Sequence, residues 1–328
     1  MINIVGGSGF IGSRLCSLLK LEGLSFKIVD KVLSKDFSER TFIADVRSVE
    51  ALDSSISDNA ILINLAAEHR DNVAPLSLYD DVNVQGAKNL CLVATKKNVN
   101  TLIFTSSVAI YGFAPLGTDE SGKIAPFNDY GRTKYEAELV YKAWQAECPL
   151  TRTLVIIRPT VVFGEQNRGN VYNLLRQIAS GKFVMVGNGL NRKSMAYVGN
   201  VVAFIQHTLT FKPGVHIYNY IDKPDFTMND LVSWVNMLLG RTNEIKFRMP
   251  YSVGLLIGKA FDLAAMVMSK KLPISAIRVK KFCSNSVYES AIHTTGFIAP
   301  FTMLESIERT IKYEFLEEHS HKTVFYSD

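Results

Sequence analysis

The chain has 328 residues, 47% of them hydrophobic and 20% charged, with a formal net charge of +5. That balance is that of an ordinary globular protein long enough to bury a full core, and no internal repeat or low-complexity segment interrupts it. Residues 241–281 carry nine Lys/Arg against Glu244 and Asp262, a local +7 that leaves −2 for the rest. A basic block so confined points to a local acidic partner, not to a nucleic-acid-binding protein. The opening "MINIVGGSG" has no apolar run of signal length, so a cytoplasmic protein is expected. Cys16, Cys91, Cys148 and Cys283 are scattered without a CxxC pair. Neither a disulfide framework nor a zinc site is expected.

The first half alternates short β-rich runs with longer helical stretches. "NIV" (3–5), "FKIVD" (26–30), "RTFIAD" (40–45), "AILINLA" (60–66), "TLIFTS" (101–106) and "TLVIIRP" (153–159) are nearly continuous in apolar residues. Strands of that kind are covered on both faces, as in a parallel sheet. Residues 75–97 and 130–146 have helical spacing between them. Repeated βα units predict an α/β fold with a doubly wound parallel Rossmann sheet over residues 1–163. After Phe163, Pro and Gly become the punctuation. "GNVYNLLRQIASGKF" (169–183) and "PDFTMNDLVSWVNMLLG" (224–240) read as helices of a smaller mixed α/β substrate domain, 164–328, some of whose segments return to the first. The tail "EEHSHKTVFYSD" reads as a surface extension.

"GGSGFIG" follows the first strand directly. Gly6, Gly9 and Gly12 are spaced GxxGxxG, and Gly7, Gly9 and Gly12 also spell GxGxxG. Either spelling gives a tight turn, lets a diphosphate approach amide N–H groups and packs helix against strand. The candidate cofactor loop is therefore Gly6, Gly9, Phe10, Ile11 and Gly12. Asp30 closes the second strand 18 residues past Gly12. A carboxylate there accepts the ribose hydroxyls of NAD and repels the phosphate of NADP; Lys31 beside it weighs the other way.

In "NDYGRTKYEAE" (128–138) Tyr130 and Lys134 are one helical turn apart. One such pair is what chance gives in a chain of this size, so context decides. Ser107 stands where strand 101–106 reaches the carboxyl edge of the sheet, the edge at which open α/β folds bind ligands. Removing a hydroxyl proton while a hydride leaves carbon needs a base. Tyrosine, with an ordinary pKa near ~10, needs roughly 4 kcal/mol of phenolate stabilisation to serve near pH 7. An ammonium and a positive nicotinamide ring can supply it. Ser107 would hold the substrate oxygen in line.

Together these motifs resemble the extended short-chain dehydrogenase/reductase family, the NAD-dependent epimerases and dehydratases of nucleotide sugars. "ADVR" (44–47), "NLAA" (64–67), "VNVQGAKNL" (82–90), "TSSVAIYG" (105–112), "YGRTK" (130–134) and "IIRPTVVFG" (156–164) extend the likeness past residue 220. The resemblance implies that Asp45 and Val46 lie by the adenine and that Leu65 and Ala66 line the cofactor cleft. It also implies that Ser107, Tyr130 and Lys134 are catalytic and that the protein is a homodimer through two helices. Sugar dehydratases of the family carry an Asp–Glu pair after the small hydroxyl residue; Val108 and Ala109 stand here, which argues against water elimination. "AAEHRD" (66–71), "RGNVYNLL" (168–175), "GNGLNRKSMAYVGN" (187–200), "YNYIDKPD" (218–225) and "RVKKFC" (278–283) resemble the 4-epimerases of lipid-linked N-acetylglucosamine diphosphate in surface polysaccharide (O-antigen) synthesis. Two departures from the nucleotide-sugar pattern agree. Lys193 replaces an arginine that grips the nucleotide diphosphate, and Gly199–Asn200 replace an Asp pair.

Residues 251–273 are long and apolar but interrupted by Lys259 and Asp262. A charge at the bilayer centre costs at least ~2.5 kcal/mol, so a spanning helix is not expected. Two readings remain: a buried helix of the substrate domain, or an interfacial helix seated among headgroups. In the second, Lys259, Asp262, Ser269 and Lys270 form a polar stripe and Leu255, Leu256, Phe261, Met266 and Val267 the apolar remainder. Lys270, Lys271, Arg278, Lys280 and Lys281 would then meet phosphates, diphosphate or solvent. His69 at the cleft edge reads as a substrate contact or as a structural histidine, and Asn170 as a ligand of the diphosphate or acetamido sugar. Asn83 reads as a tie between backbone segments near the catalytic strand. His207, His216, His293, His319 and His321 show no metal-ligand spacing. The leading expectation is an NAD-dependent 4-epimerase of N-acetylhexosamine carried on undecaprenyl diphosphate. The alternatives are a UDP-sugar 4-epimerase, an NAD(P)H-dependent 4-keto-sugar reductase and a dinucleotide-sensing regulator.

Overall fold

The computed structural model describes residues 1–70, 73–242, 244–245, 247–268, 275–319 and 323–326, except for the side chain of Val267. Asp71, Ser269, Lys270, Lys271 and His321, named above, lie outside the described residues, as does the Val267 side chain.

In chain order the elements are β1 (Ile2–Val5), α1 (Phe10–Leu21), β2 (Phe26–Asp30), β3 (Thr41–Ile43), α2 (Val49–Ser55), β4 (Ile61–Asn64), α3 (Ser77–Tyr79), α4 (Gly86–Lys96), β5 (Thr101–Thr105), α5 (Asp129–Glu147) and β6 (Thr153–Pro159). There follow β7 (Val161–Phe163), α6 (Asn170–Ala179), β8 (Met185–Val186), β9 (Arg192–Tyr197), α7 (Val198–His207), β10 (Gly214–Tyr220), β11 (Asp222–Thr227), α8 (Met228–Leu238), β12 (Arg248–Met249), α9 (Tyr251–Met268), α10 (Ala276–Cys283) and α11 (Met303–Ile311). A π-helical stretch, Asp80–Gln85, joins α3 to α4.

Seven strands form one parallel sheet in the order β10-β6-β5-β4-β1-β2-β3. Their side chains alternate between two cores, as a period of two requires. Ile4, Ile28, Ile63, Ile103 and Val155 meet α1, α7 and α11 on one face. Val5, Val29, Leu62, Leu102 and Leu154 meet α2, α4 and α5 on the other. All seven residues of β6 are buried. The strand order reverses between β1 and β4, which opens a crevice at their carboxyl ends.

Past Phe163 the chain crosses back: α7 packs on α1, and β10 takes the place next to β6 at the sheet's edge. The remainder forms a three-stranded sheet, β11-β9-β7, a two-stranded sheet, β12-β8, and helices. The expected helix over 224–240 begins only at Met228; Asp222–Thr227 pair with β9, and Thr227 with Asp230 makes a capping box that starts α8. The tail is more than a surface extension. Phe325 exchanges backbone hydrogen bonds with Gln166 and Arg168, and its ring lies 6.0 Å from that of Phe10.

The buried-helix reading of 251–273 is not met over 251–268; residues 269–273 lie outside the described residues. Among the residues of α9 whose burial is described, only Gly254 and Gly258 are buried, because they let the helix close on Val186, Val279 and the backbone of Ala276. Leu256, Leu263 and Met266 are 69%, 62% and 76% exposed. No helix among the described residues is long and apolar enough to cross a membrane.

Candidate active site

The glycine loop links β1 to α1 at the crevice. Gly6 has φ +78°, and a Cβ there would come 2.5 Å from the Ala66 amide nitrogen. A Cβ on Gly12 would meet backbone of Gly7 and Gly6 at 2.5–2.7 Å. Both positions require glycine. Gly9 caps α1 without any side-chain acceptor and the first turn holds no acidic residue, so the turn containing Phe10 and Ile11 presents its amides to an anion. Asp30, at the end of β2, accepts hydrogen bonds from the amides of Ser8 (3.0 Å) and Val32 (3.1 Å), which aims its half-buried carboxylate across the loop. Asp45 is held by a two-pronged pair with Arg47, which keeps its carboxyl below the usual range. Val46 is buried under Gly86, its carbonyl bonded to Asn89. Leu65 follows β4, and the Ala66 amide donates to Asn64 Oδ1. Tight glycines, an uncapped helix start and a carboxylate at the next strand end together fit a dinucleotide.

The second cluster stands at the carboxyl end of β5. Ser107 ends in extended backbone, and its Oγ accepts from the Ala109 amide at 3.1 Å. Asn128 caps α5 through the Gly131 amide, which places Tyr130 in the first turn. Tyr130 is half-buried, and the Ser107 hydroxyl is close enough to favour its ionised form. Burial outweighs that effect and, with Tyr79 adding to it, pushes the phenol above its ordinary value. The expected acidification is thus absent from the protein groups alone. The reason lies in Lys134: its 2%-exposed ammonium turns inward, donating to the Thr105 carbonyl at 2.5 Å and lying 4.5 Å from the Phe104 ring centre. Burial lowers Lys134 from 10.5 to about 7, against the pull of Glu138 one turn on.

His69 is exposed at its edge yet set within the cleft. Desolvation there lowers its pKa, and the nearby Lys134 adds to the effect. Asn83, on the π-helical stretch, bonds both backbone atoms of Glu68 (2.8 and 3.0 Å) and Thr133 Oγ1 (3.0 Å). It ties the segment holding His69 to the helix holding Lys134. Asn170 is the exposed first residue of α6. Lys193, on β9, donates to the Lys281 carbonyl at 2.7 Å, and burial lowers it to about 8. Neither stands on the β5–α5 edge; they belong to the second lobe, where Lys193 is held by α10.

Two supporting groups escaped the sequence reading. Glu138, wholly buried, grips Arg158 at 2.9 and 2.7 Å, and Arg158 donates on to Tyr111 Oη at 2.7 Å. Tyr111 in turn donates to Asn219 Oδ1 of β10. Beneath Lys134, Asn64 links Tyr141 Oη, the Ala66 amide and Thr105 Oγ1.

A family model described as "NAD dependent epimerase/dehydratase family" matches residues 2–220. The chain belongs to the NAD-dependent epimerase/dehydratase family. It is 46% identical over 327 residues to N-acetyl-alpha-D-glucosaminyl-diphospho-ditrans,octacis-undecaprenol 4-epimerase of Escherichia coli O157:H7, covering 99% of this chain and 98% of that protein. It is 28% identical over 324 residues to UDP-glucose 4-epimerase of Vibrio cholerae, covering 94% of each. The fold is shared with the UDP-glucose 4-epimerase of Thermus thermophilus solved in complex with NAD: TM-score 0.73, 19% identity, 95% of this chain and 98% of that one. The two sites just described occupy the epimerase family's matched region, while Lys193 falls within it and α9 and α10 lie beyond it.

Proposed function

We propose that this protein is an NAD-dependent 4-epimerase that interconverts N-acetylglucosamine and N-acetylgalactosamine on an undecaprenyl diphosphate carrier, in surface polysaccharide (O-antigen) synthesis. The observation that carries the reading is the 46% identity, end to end, with a relative whose name specifies that substrate, against 28% for a UDP-glucose epimerase. Val108–Ala109 after Ser107, in place of an acid–base pair, accords with epimerisation over water elimination.

The cofactor is NAD, held by the Gly6–Gly12 loop, the start of α1 and Asp30, with Asp45, Val46, Leu65 and Ala66 along the cleft. When bound it supplies reversible hydride exchange with C4 and a positive ring charge. Tyr130 Oη removes the proton from the C4 hydroxyl and gives it back after the 4-keto sugar has turned over. Ser107 Oγ holds the substrate oxygen in line with that phenol. The phenolate stabilisation that the protein groups lack would come from the positive ring of bound NAD, with Lys134, held at the Thr105 carbonyl and poised near pH 7, adding its charge when protonated. Lys193, Asn170 and His69 retain the diphosphate and acetamido sugar.

The protein is cytoplasmic and peripheral on the inner face of the cell membrane. The exposed apolar side of α9 supports this, with Lys259 on the same helix and Arg278 and Lys280 exposed on α10. Asp262 is spent within the hairpin, accepting from the Ala276 amide at 3.0 Å, which leaves the outer charge positive. It forms a homodimer through two helices; exposed Leu92 on α4 and Leu139 on α5 offer apolar surface for that contact.

Purified protein supplied with NAD and either N-acetylglucosaminyl-diphosphoundecaprenol or UDP-N-acetylglucosamine tests the reading. Conversion of the lipid-linked sugar without added reductant is expected. Turnover of the UDP-sugar alone removes the lipid carrier, and stoichiometric consumption of NADH or NADPH makes the protein a reductase.

A further inference from the structure

A cavity of about 760 Å³ opens not over the glycine loop but between β12, the start of α9 and the end of α10. Its volume lies within the range of about 300–1,000 Å³ usual for small-ligand sites. Two cations line it, Arg248 and Lys280. Among the described residues no carboxylate pairs with either. The Arg248 guanidinium is instead fixed by neutral acceptors, the Asn188 carbonyl at 3.1 Å and Asn229 Oδ1 at 3.0 Å, so its charge is aimed and uncompensated. Met249, Pro250 and Tyr251 add an apolar stretch to the lining. Tyr251 is also the first residue of α9 and 41% exposed, so the cavity rim adjoins the start of the helix that leaves Leu256, Leu263 and Met266 bare.

One part of the lining neighbours Lys193. Burial raises the thiol pKa of Cys283, on the lining, and Lys193 is near enough to oppose that shift in part. The carbonyl of Lys281 holds Lys193, while its ammonium sits 4.7 Å from the Phe127 ring centre, one residue before the cap of α5. Cations without a carboxylate partner beside apolar lining, next to a helix with bare apolar residues, describe an amphiphile: an anionic head joined directly to a long hydrocarbon. A nucleoside leaving along that helix would run onto apolar surface.

We propose that this cavity binds the carrier-side phosphate and first isoprene units of a polyprenyl diphosphate, whose remaining chain leaves past Tyr251 along α9. Arg248 and Lys280 neutralise the carrier-side phosphate, the sugar-side phosphate staying with the Lys193 group, and Met249, Pro250 and Tyr251 cover the proximal isoprenes. The assignment deepens the 4-epimerase reading by naming where its carrier sits, and it rests on that reading.

The test uses the full NAD-loaded protein and farnesyl diphosphate. Farnesyl diphosphate competes with the lipid-linked sugar at least tenfold better than pyrophosphate does. Tyr251→Asp and Lys280→Glu each raise the KM for the lipid-linked sugar at least tenfold with kcat within twofold, and both weaken the farnesyl inhibition. A benzophenone-bearing prenyl diphosphate, photolysed on the unmutated protein, labels peptides containing 248–251 or 280–284. Labelling confined to other peptides, or equal inhibition by pyrophosphate with both variants unaltered, overturns the assignment. The two ideas fail separately. A protein that turns over the lipid-linked sugar but is labelled elsewhere keeps its function and loses this site. A protein that accepts only UDP-sugars loses the function, and the photolabel still decides whether the cavity takes a prenyl diphosphate.

Discussion

Replacing Lys134 by methionine should stabilise the NAD-free protein while abolishing its turnover. Burial lowers this lysine from 10.5 to about 7, and each tenfold loss of proton affinity is worth about 1.4 kcal/mol. Holding the group in the fold therefore costs about 5 kcal/mol wherever the unfolded chain keeps it charged and the folded one must follow. The sign is that of a depressed base: the unfolded chain binds more protons between pH 7 and 10.5, so stability rises with pH across that window. Methionine removes the penalty at similar length. It forfeits the hydrogen bond to the Thr105 carbonyl, a charged bond worth about 1.5–3 kcal/mol, and about 1 kcal/mol of attraction to the Phe104 ring. A net gain of about 1–2 kcal/mol remains below pH 7, or a few degrees in the melting midpoint at this chain length. Scanning calorimetry of both proteins from pH 6 to 10 is the assay. The gain should shrink as pH approaches 10, where the wild-type lysine is unpenalised. A variant less stable than wild type at pH 6, or a difference flat across the range, refutes the reasoning.

Tyr130→Phe should lower kcat by roughly 10²–10⁴, the usual span for a lost acid–base group, with the melting midpoint nearly unchanged; steady-state turnover and a thermal melt separate the two. Gly12→Ala drives a methyl into Gly6 and Gly7 backbone and should cost about 1–3 kcal/mol and weaken NAD binding at least tenfold, read by calorimetric titration. Glu138→Ala leaves Arg158 buried and unpaired and should cost about 3–5 kcal/mol in denaturant unfolding, whereas exposed Glu136→Ala, with its share of a surface ion pair, should cost under about 1 kcal/mol.

The central sheet was legible because its inner strands are buried on both faces, so Ile4–Val5 or Leu62–Ile63 read as unbroken apolar runs; β3, expected to be covered like them, is an edge strand with Phe42 and Ile43 exposed. The glycine loop and the Ser107–Tyr130–Lys134 set were legible because a turn and a helix fix their spacing locally. β11 was not: "DKPDFT" is an edge strand with a proline and no apolar alternation, so the helical signal after it spread backwards. The inward turn of Lys134 depends on Thr105, far away in sequence, and the Glu138–Arg158 pair joins a helix to a strand; pairings of that kind leave no periodic trace. α9 shows the limit of composition. An apolar helix spells the same whether it is buried or bare, and only Gly254 and Gly258, seen against α10, tell which side is covered.

The return of β10 to the sheet has a consequence for dissecting the protein. A fragment cut after Phe163 would strip β6 of its neighbour and present seven contiguous buried residues as an open edge, the kind of edge on which chains aggregate. The nucleotide-binding half is thus not severable at its apparent seam: the smaller lobe is threaded through it, and a cut just past residue 220 would instead part β11 from β9 and Phe325 from Gln166 and Arg168.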